Sequence, residues 1–226
     1  MNTIYQKALL AHHQKPHGYL ALSDVFCETN DDGNSDQPLL SDIVNYLNDK
    51  APNVAELFND TLHENIGFVP QVSDYGSNVS CGDEIAIFVE ISESESALIG
   101  EAINQAQISN IGFAGDSCAI CRASASMMVQ SLKHKSLAQA SAIISHGFTL
   151  LAQEQFLKDD VTLPRLISEK HCDKNNSCIK NEQVNSERFE LEPLSSVTQF
   201  PVRIQCASLP WATLVSALNK LLNCRK

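Results

Sequence analysis

Along the chain, runs of apolar residues at helical spacing alternate with short runs at strand spacing. Residues 2–14 follow the first pattern, with Ile4, Leu9 and Leu10 apolar, and Pro16 closes the run. Two further helical stretches are predicted, Leu39 to Asn48 with Leu40, Ile43 and Leu47 on one face, and Asn53 to His63. Gly67 to Ser80 has no such order and reads as a loop. The clearest strand runs from Glu84 to Ile91, where Ile85, Ile87, Val89 and Ile91 alternate strictly. The polar SESES that follows marks the end of a hairpin, and a second strand is predicted from Ala106 to Phe113, ending at Gly115. A helix then begins near Cys118, with Asp116 or Ser117 as its cap and Ala123, Met127, Met128 and Leu132 as its apolar face. A longer helix is expected from Leu137 to Phe156. Phe200 to Ile204 reads as short and extended. Ser208 is then expected to cap a final helix with Pro210 in its first turn and Leu214, Leu218 and Leu221 facing inward.

Two polar stretches interrupt this order. ETNDDGNSDQ at 28–37 is built of turn formers, and within 158–190 the string KHCDKNNSCIKNEQVNSER is polar and nearly without large apolar residues. The pattern predicts an α+β fold, a small antiparallel sheet of about three strands packed against several helices. One domain over 1–226 is expected, with insertions at about 28–76 and 158–190.

Composition narrows the function classes. Hydrophobic residues make up 43% of the 226, so the chain can bury a core. The formal net charge is −11. Such a surface repels phosphate backbones and anionic lipids, so neither nucleic acid nor membrane is an expected partner. The N-terminus lacks the apolar core and cleavage site of a signal peptide, and no apolar run approaches membrane-spanning length. The expected location is the cytosol. Its eight cysteines would there stay reduced, free for metal ligation or thiol chemistry. Cys27 and Cys224 read as ordinary buried side chains.

Three short segments place a cysteine at the border between irregular and regular structure. They are Cys81-Gly82-Asp83, Gly115-Asp116-Ser117-Cys118-Ala119-Ile120-Cys121 and Arg203-Ile204-Gln205-Cys206. At a helix start, free N–H groups and the positive dipole end favour a Cys118 thiolate, the form that binds metal or attacks sulfur. Gly82 allows a turn tight enough for Cys81 and Asp83 to face one ion. Three thiolates and a carboxylate would complete a tetrahedral shell for zinc, and the same sulfurs suit iron–sulfur chemistry. Spacing alone does not establish convergence, because the cysteines are scattered rather than paired.

The strings NVSCGDEI, GFAGDSCAICRASASMM and FPVRIQCASLPW, with the N-terminal YQKALLAHHQKPHGYL, resemble the U-type scaffold family of iron–sulfur assembly (the IscU, SufU and NifU N-terminal-domain type). The match covers residues 2–22, 77–157 and 190–222, and GDSC…ASASMM is its most specific part. The resemblance implies an α+β fold in which Cys81, Asp83, Cys118 and Cys206 meet at an exposed end around zinc, iron or a [2Fe–2S] cluster. The insertion before the last cysteine and the string LEPLSSVTQFPVRIQC look like the SufU branch. That branch implies a zinc-bound site taking persulfide sulfur from a cysteine desulfurase, with Cys81 the displaceable ligand and sulfur acceptor. Apo iron–sulfur proteins would be the further partners. Arg203 matches an arginine near that site, where its charge would favour thiolate and persulfide anions; the competing reading is a surface salt bridge.

Three features depart from the family. Cys121 stands where a non-cysteine residue is usual and reads as packing. The stretch 28–76 is longer than the usual link. His171, Cys172 and Cys178 fall in the second insertion, where a solvated loop is expected rather than a second metal site. Two other readings stay open: a thiol–disulfide oxidoreductase using Cys118 and Cys121, and a regulatory binding protein on the same fold. No hydrolase triad, P-loop or dinucleotide fingerprint is present. Adjacent His12 and His13 point in different directions on a helix and are not expected to share a metal.

Overall fold

The computed structural model describes residues 3–21, 67–92, 106–153 and 190–223. The helices expected at 39–48 and 53–63, the 28–37 loop, the SESES turn and nearly all of 158–190 lie outside the described residues, as do Cys27, His171, Cys172, Cys178 and Cys224.

The alternating run around Ile87 forms the centre of a three-stranded antiparallel sheet. β1 (Val72–Asn78), β2 (Asp83–Ser92) and β3 (Gln107–Ala114) lie in that order. Ile85, Ile87, Val89 and Ile91 enter the main core with Ile108, Ile111 and Phe113. Ala86 and Phe88, on the opposite face by the period of two, are fully buried as well. β2 is therefore covered on both sides, which explains its density of apolar residues. Its pairing with β3 shifts register between Glu90 and Ile91. The hydroxyl of Ser109, at the unpaired position, donates to the Glu90 carbonyl at 3.0 Å.

β1 falls where a loop is predicted. VSDYGSN has no apolar alternation, so its order comes from tertiary contacts rather than propensity. Gly76 lies under Thr213 and Leu209 of the last helix, where a Cβ would collide with the Thr213 hydroxyl. The half-exposed Lys220 ammonium donates to the mostly buried Asp74 carboxylate at 2.7 Å, fastening the far end of that helix to the strand.

The helices cover the sheet. α1 (Thr3–Gln14) packs on α2 (Ala119–Leu132), and the chain after α1 joins β3 through Leu20 N–H to the Phe113 carbonyl and Phe113 N–H to the Gly18 carbonyl, both 2.8 Å. α3 (Leu137–Leu150) starts with a capping box between Ser136 and Gln139. It ends earlier than the predicted Phe156. Ala152 adopts a left-handed conformation (φ 53°), and the N–H groups of Ala152 and Gln153 return to the carbonyls of Thr149 and Phe148, a Schellman closure. A 3₁₀ helix (Glu192–Gln199) leads into α4 (Pro201–Asn223).

α4 corrects two expectations. Phe200 is non-helical, but Val202 to Ile204 are the first turn of a 23-residue helix rather than an extended segment. Pro201 takes the first helical position, where its missing N–H costs nothing. Ser208 lies inside the helix, its hydroxyl bonded to the Gln205 carbonyl at 3.2 Å, and caps nothing. Pro210 removes the N–H that the Cys206 carbonyl would accept. The helix persists through it because Ala207, Trp211, Leu214 and Ala217 are fully buried on its inner face. Trp211 packs against Gly147 of α3, and its indole N–H donates to Ser124 of α2 at 3.0 Å.

Trp211→Ala should therefore destabilise the protein by about 3–5 kcal/mol, measured by urea unfolding, through a large cavity and the loss of the indole bond to Ser124, whose hydroxyl keeps its own bond to the Ala207 carbonyl.

Candidate metal centre

Four chain segments end at one place: the β1–β2 turn, the first residue of β2, the loop entering α2, and the first turns of α4. The β1–β2 turn closes when Cys81 N–H donates to the Asn78 carbonyl at 3.1 Å. Gly82 follows at φ +66°, and a Cβ there would touch nothing within 4 Å. The glycine is thus required by backbone conformation, as the sequence suggests, and not by crowding.

Asp83 is 1% exposed. One of its carboxylate oxygens accepts the Cys118 backbone N–H at 2.6 Å, and the other lies 3.7 Å from Cys118 Sγ. This corrects the predicted cap. Cys118 itself is the N-cap residue of α2 and makes no side-chain cap bond. The third helical position, which in a capping box carries a carboxylate, is Cys121. Asp83 supplies that carboxylate from the neighbouring strand, and its charge complements the positive end of α2. Asp116, expected as a cap, ties the loop down instead: its carbonyl accepts Glu84 N–H at 2.7 Å.

Cys206, on the second turn of α4, is fully buried. Asn78 Nδ2 donates to its sulfur at 3.5 Å. Burial, and then hydrogen bonding to Asp83 and Cys81, pushes the Cys206 thiol well above the ordinary cysteine range. One turn earlier, Arg203 Nη1 donates to Cys81 Sγ at 3.4 Å. Arg203 thus contacts a sulfur at the open side of the group.

The ligand atoms of Cys81, Asp83 and Cys206 all lie within 4.8 Å of one another. Cys118 adjoins this trio through Asp83. In a tetrahedral zinc shell with Zn–S of about 2.3 Å, neighbouring ligand atoms stand about 3.8 Å apart, so modest side-chain rotation would close the group on an ion. The donor set of sulfurs with one carboxylate oxygen suits zinc or iron. Cys81 and Cys118 are partly exposed, so the group is open on one side.

Cys121 is the sequence candidate that stays apart. It is fully buried within the main core. Burial first, then the negative charge of Asp83 and Cys118, pushes its thiol far up. A thiol held neutral and out of solvent is unsuited to the exchange chemistry of a CxxC pair. The contact missed in the sequence is Asn78. It lay in a stretch read as loop, and only the β1–β2 register shows that its side chain turns toward α4.

Replacing Asp83 removes the carboxylate that caps α2. With chelator present, Asp83→Ala should lower unfolding stability by about 1–2 kcal/mol, whereas Asp83→Asn, which keeps an acceptor oxygen, should lose less. Alkylation of the native metal-free protein followed by peptide mass mapping should label Cys81 and Cys118 well before Cys121.

Residues 52–153 match the family model described as the NifU-like N terminal domain. The chain is 27% identical over 144 residues to the zinc-dependent sulfurtransferase SufU of Bacillus subtilis, covering 64% of this chain and 72% of that protein. It is 28% identical over 147 residues to the iron–sulfur cluster assembly scaffold protein IscU of Streptococcus pyogenes, covering 65% of this chain and 69% of that one. Among solved structures, the N-terminal part of a nitrogen-fixing NifU-like protein from Brucella abortus superposes with a TM-score of 0.44 at 9% identity, over 68% of this chain and 81% of that one. Among the described residues no helix is long and apolar enough to cross a membrane. Over residues 52–153 the chain is thus similar to the NifU-like N terminal domain, and over a longer stretch it is similar to proteins named SufU and IscU.

Proposed function

We propose that this protein accepts persulfide sulfur from a cysteine desulfurase in the cytoplasm and passes sulfur or clusters to apo iron–sulfur proteins. Its centre would hold zinc, or carry iron or a [2Fe–2S] cluster as cargo, through Cys81, Asp83, Cys118 and Cys206. The observation that carries this reading is the mutual approach of the Cys81, Asp83 and Cys206 ligand atoms within 4.8 Å, with Cys118 beside Asp83. The name of the Bacillus subtilis relative supports zinc, and that of the Streptococcus pyogenes relative supports a role in cluster assembly.

The four groups would have unequal roles. Asp83 and Cys206 are buried and fixed, so they anchor the ion. A metal bound there holds cysteine sulfurs as thiolates at neutral pH. Cys81 lies on a turn at the open side, in contact with Arg203, and is the ligand best placed to leave and react. In the transfer step its thiolate attacks the outer sulfur of the desulfurase cysteine persulfide. A new S–S bond forms on Cys81 as the donor S–S bond breaks, and the donor cysteine leaves as thiolate. The Arg203 guanidinium stabilises the attacking thiolate and the persulfide anion that replaces it.

A dithiol–disulfide role for Cys118 and Cys121 is disfavoured by the burial of Cys121 and by the antiparallel pairing of β1, β2 and β3, with no βαβ unit among the described residues.

Protein purified anaerobically should contain about one zinc or iron per chain, or a cluster with matching sulfide, by metal and acid-labile sulfide analysis. Cys118→Ala and Cys206→Ala should lose most of it, and Cys121→Ser should keep it. With a desulfurase and cysteine, intact-mass measurement should find one added sulfur atom on wild type and none on Cys81→Ala, with transfer severalfold slower in Arg203→Ala. Full metal content in both Cys118→Ala and Cys206→Ala would remove this reading.

A further inference from the structure

Asn78 touches the candidate centre through two chemically distinct groups. Its main-chain carbonyl accepts Cys81 N–H at 3.1 Å and so shapes the turn that presents Cys81 and Gly82. Its side-chain amide donates from Nδ2 to the Cys206 sulfur at 3.5 Å, within range for an N–H···S bond. Asn78 is also the last residue of β1 and pairs in register with Asp83, the first residue of β2. A single side chain, itself mostly buried at 9% exposure, thus stands where strand and helix portions of the centre meet.

The geometry is selective for an amide. Cys206 is fully buried on α4, so its sulfur takes its donors from the protein, from Asn78 Nδ2 and from the Arg203 guanidinium. A thiolate produced there by metal binding has lone pairs beyond the one given to the metal, and in a dry site these are costly to leave unpaired. A carboxylate in its place would set negative charge against the thiolate.

We propose that Asn78 is a positioning residue for the metal ligand Cys206, its amide N–H orienting the sulfur and drawing electron density from it once it is a thiolate. The inference rests on the metal-binding reading above and deepens it. Hydrogen bonds from outside the ligand shell fix ligand orientation and tune the metal, and their loss typically costs about 10–100-fold in affinity. Because the backbone bond to Cys81 does not depend on the Asn78 side chain, substitutions isolate the amide.

The test compares full-length wild type with Asn78→Leu, close in size without a donor, and with Asn78→Ala, which retains the test should the leucine disturb folding. Zinc affinity is measured by chelator competition, and each protein is loaded anaerobically with Co²⁺ for absorption spectroscopy. Wild type should bind one ion with thiolate-to-cobalt charge-transfer bands. The variants should bind about 10–100-fold more weakly, with those bands moved to lower energy because an electron-withdrawing bond to sulfur is gone. Thermal unfolding of the metal-free proteins separates this from simple loss of fold, which would not move the bands of the protein that still binds. Variants that match wild type in both affinity and band position overturn the proposal while leaving the metal reading intact. A wild type without thiolate-to-cobalt bands overturns both.

Discussion

The bond between the Asp83 carboxylate and the Cys118 backbone N–H determines how the rest of the candidate centre is assembled. It joins the start of the central strand to the start of α2 at 2.6 Å, with the carboxylate 1% exposed. A buried carboxylate without partners would carry a desolvation cost of several kcal/mol. Here the helix end offers both an N–H donor and a favourable dipole. Meeting that need brings two of the four candidate ligands together before any metal is considered, and it leaves the second oxygen directed at the Cys118 sulfur.

The other two ligands are delivered by opposite means. Cys81 is placed locally, by a short turn closed on Asn78 and opened by a left-handed glycine. Cys206 arrives from far along the chain on α4, whose position is set by Trp211 wedged against Gly147 and by the fit of Thr213 over Gly76. Arg203, three residues earlier on the same helix, is carried to Cys81 by that placement. One rigid helix therefore supplies both a buried anchor and an exposed charge. In the proposed role, holding and releasing a cargo would use this division between a fixed and a movable ligand.

Much of this was legible in the sequence where local pattern and tertiary role coincide. The strict alternation of Ile85, Ile87, Val89 and Ile91 identified β2, and the apolar face of Ala123, Met127, Met128 and Leu132 identified α2. Cys81, Asp83 and Cys206 were singled out from motif resemblance, and the structure draws them together. What was not legible depends on distant contacts. β1 lacks a strand pattern because it is held by its neighbours, and Asn78 was hidden with it. The cap of α2 comes from another strand, so no residue next to Cys118 could reveal it. The start of α4 imitates a strand in sequence, because Val202 and Ile204 flank an exposed arginine, whereas Pro201 is in fact its first helical residue.

The central claim is that three sulfurs and one carboxylate oxygen can enclose a single ion. X-ray absorption spectroscopy of the zinc-loaded full-length protein tests it most directly. The account predicts a first shell of three sulfurs at about 2.3 Å and one oxygen at about 2.0–2.2 Å. A shell of nitrogen and oxygen alone, or of four sulfurs, would contradict it.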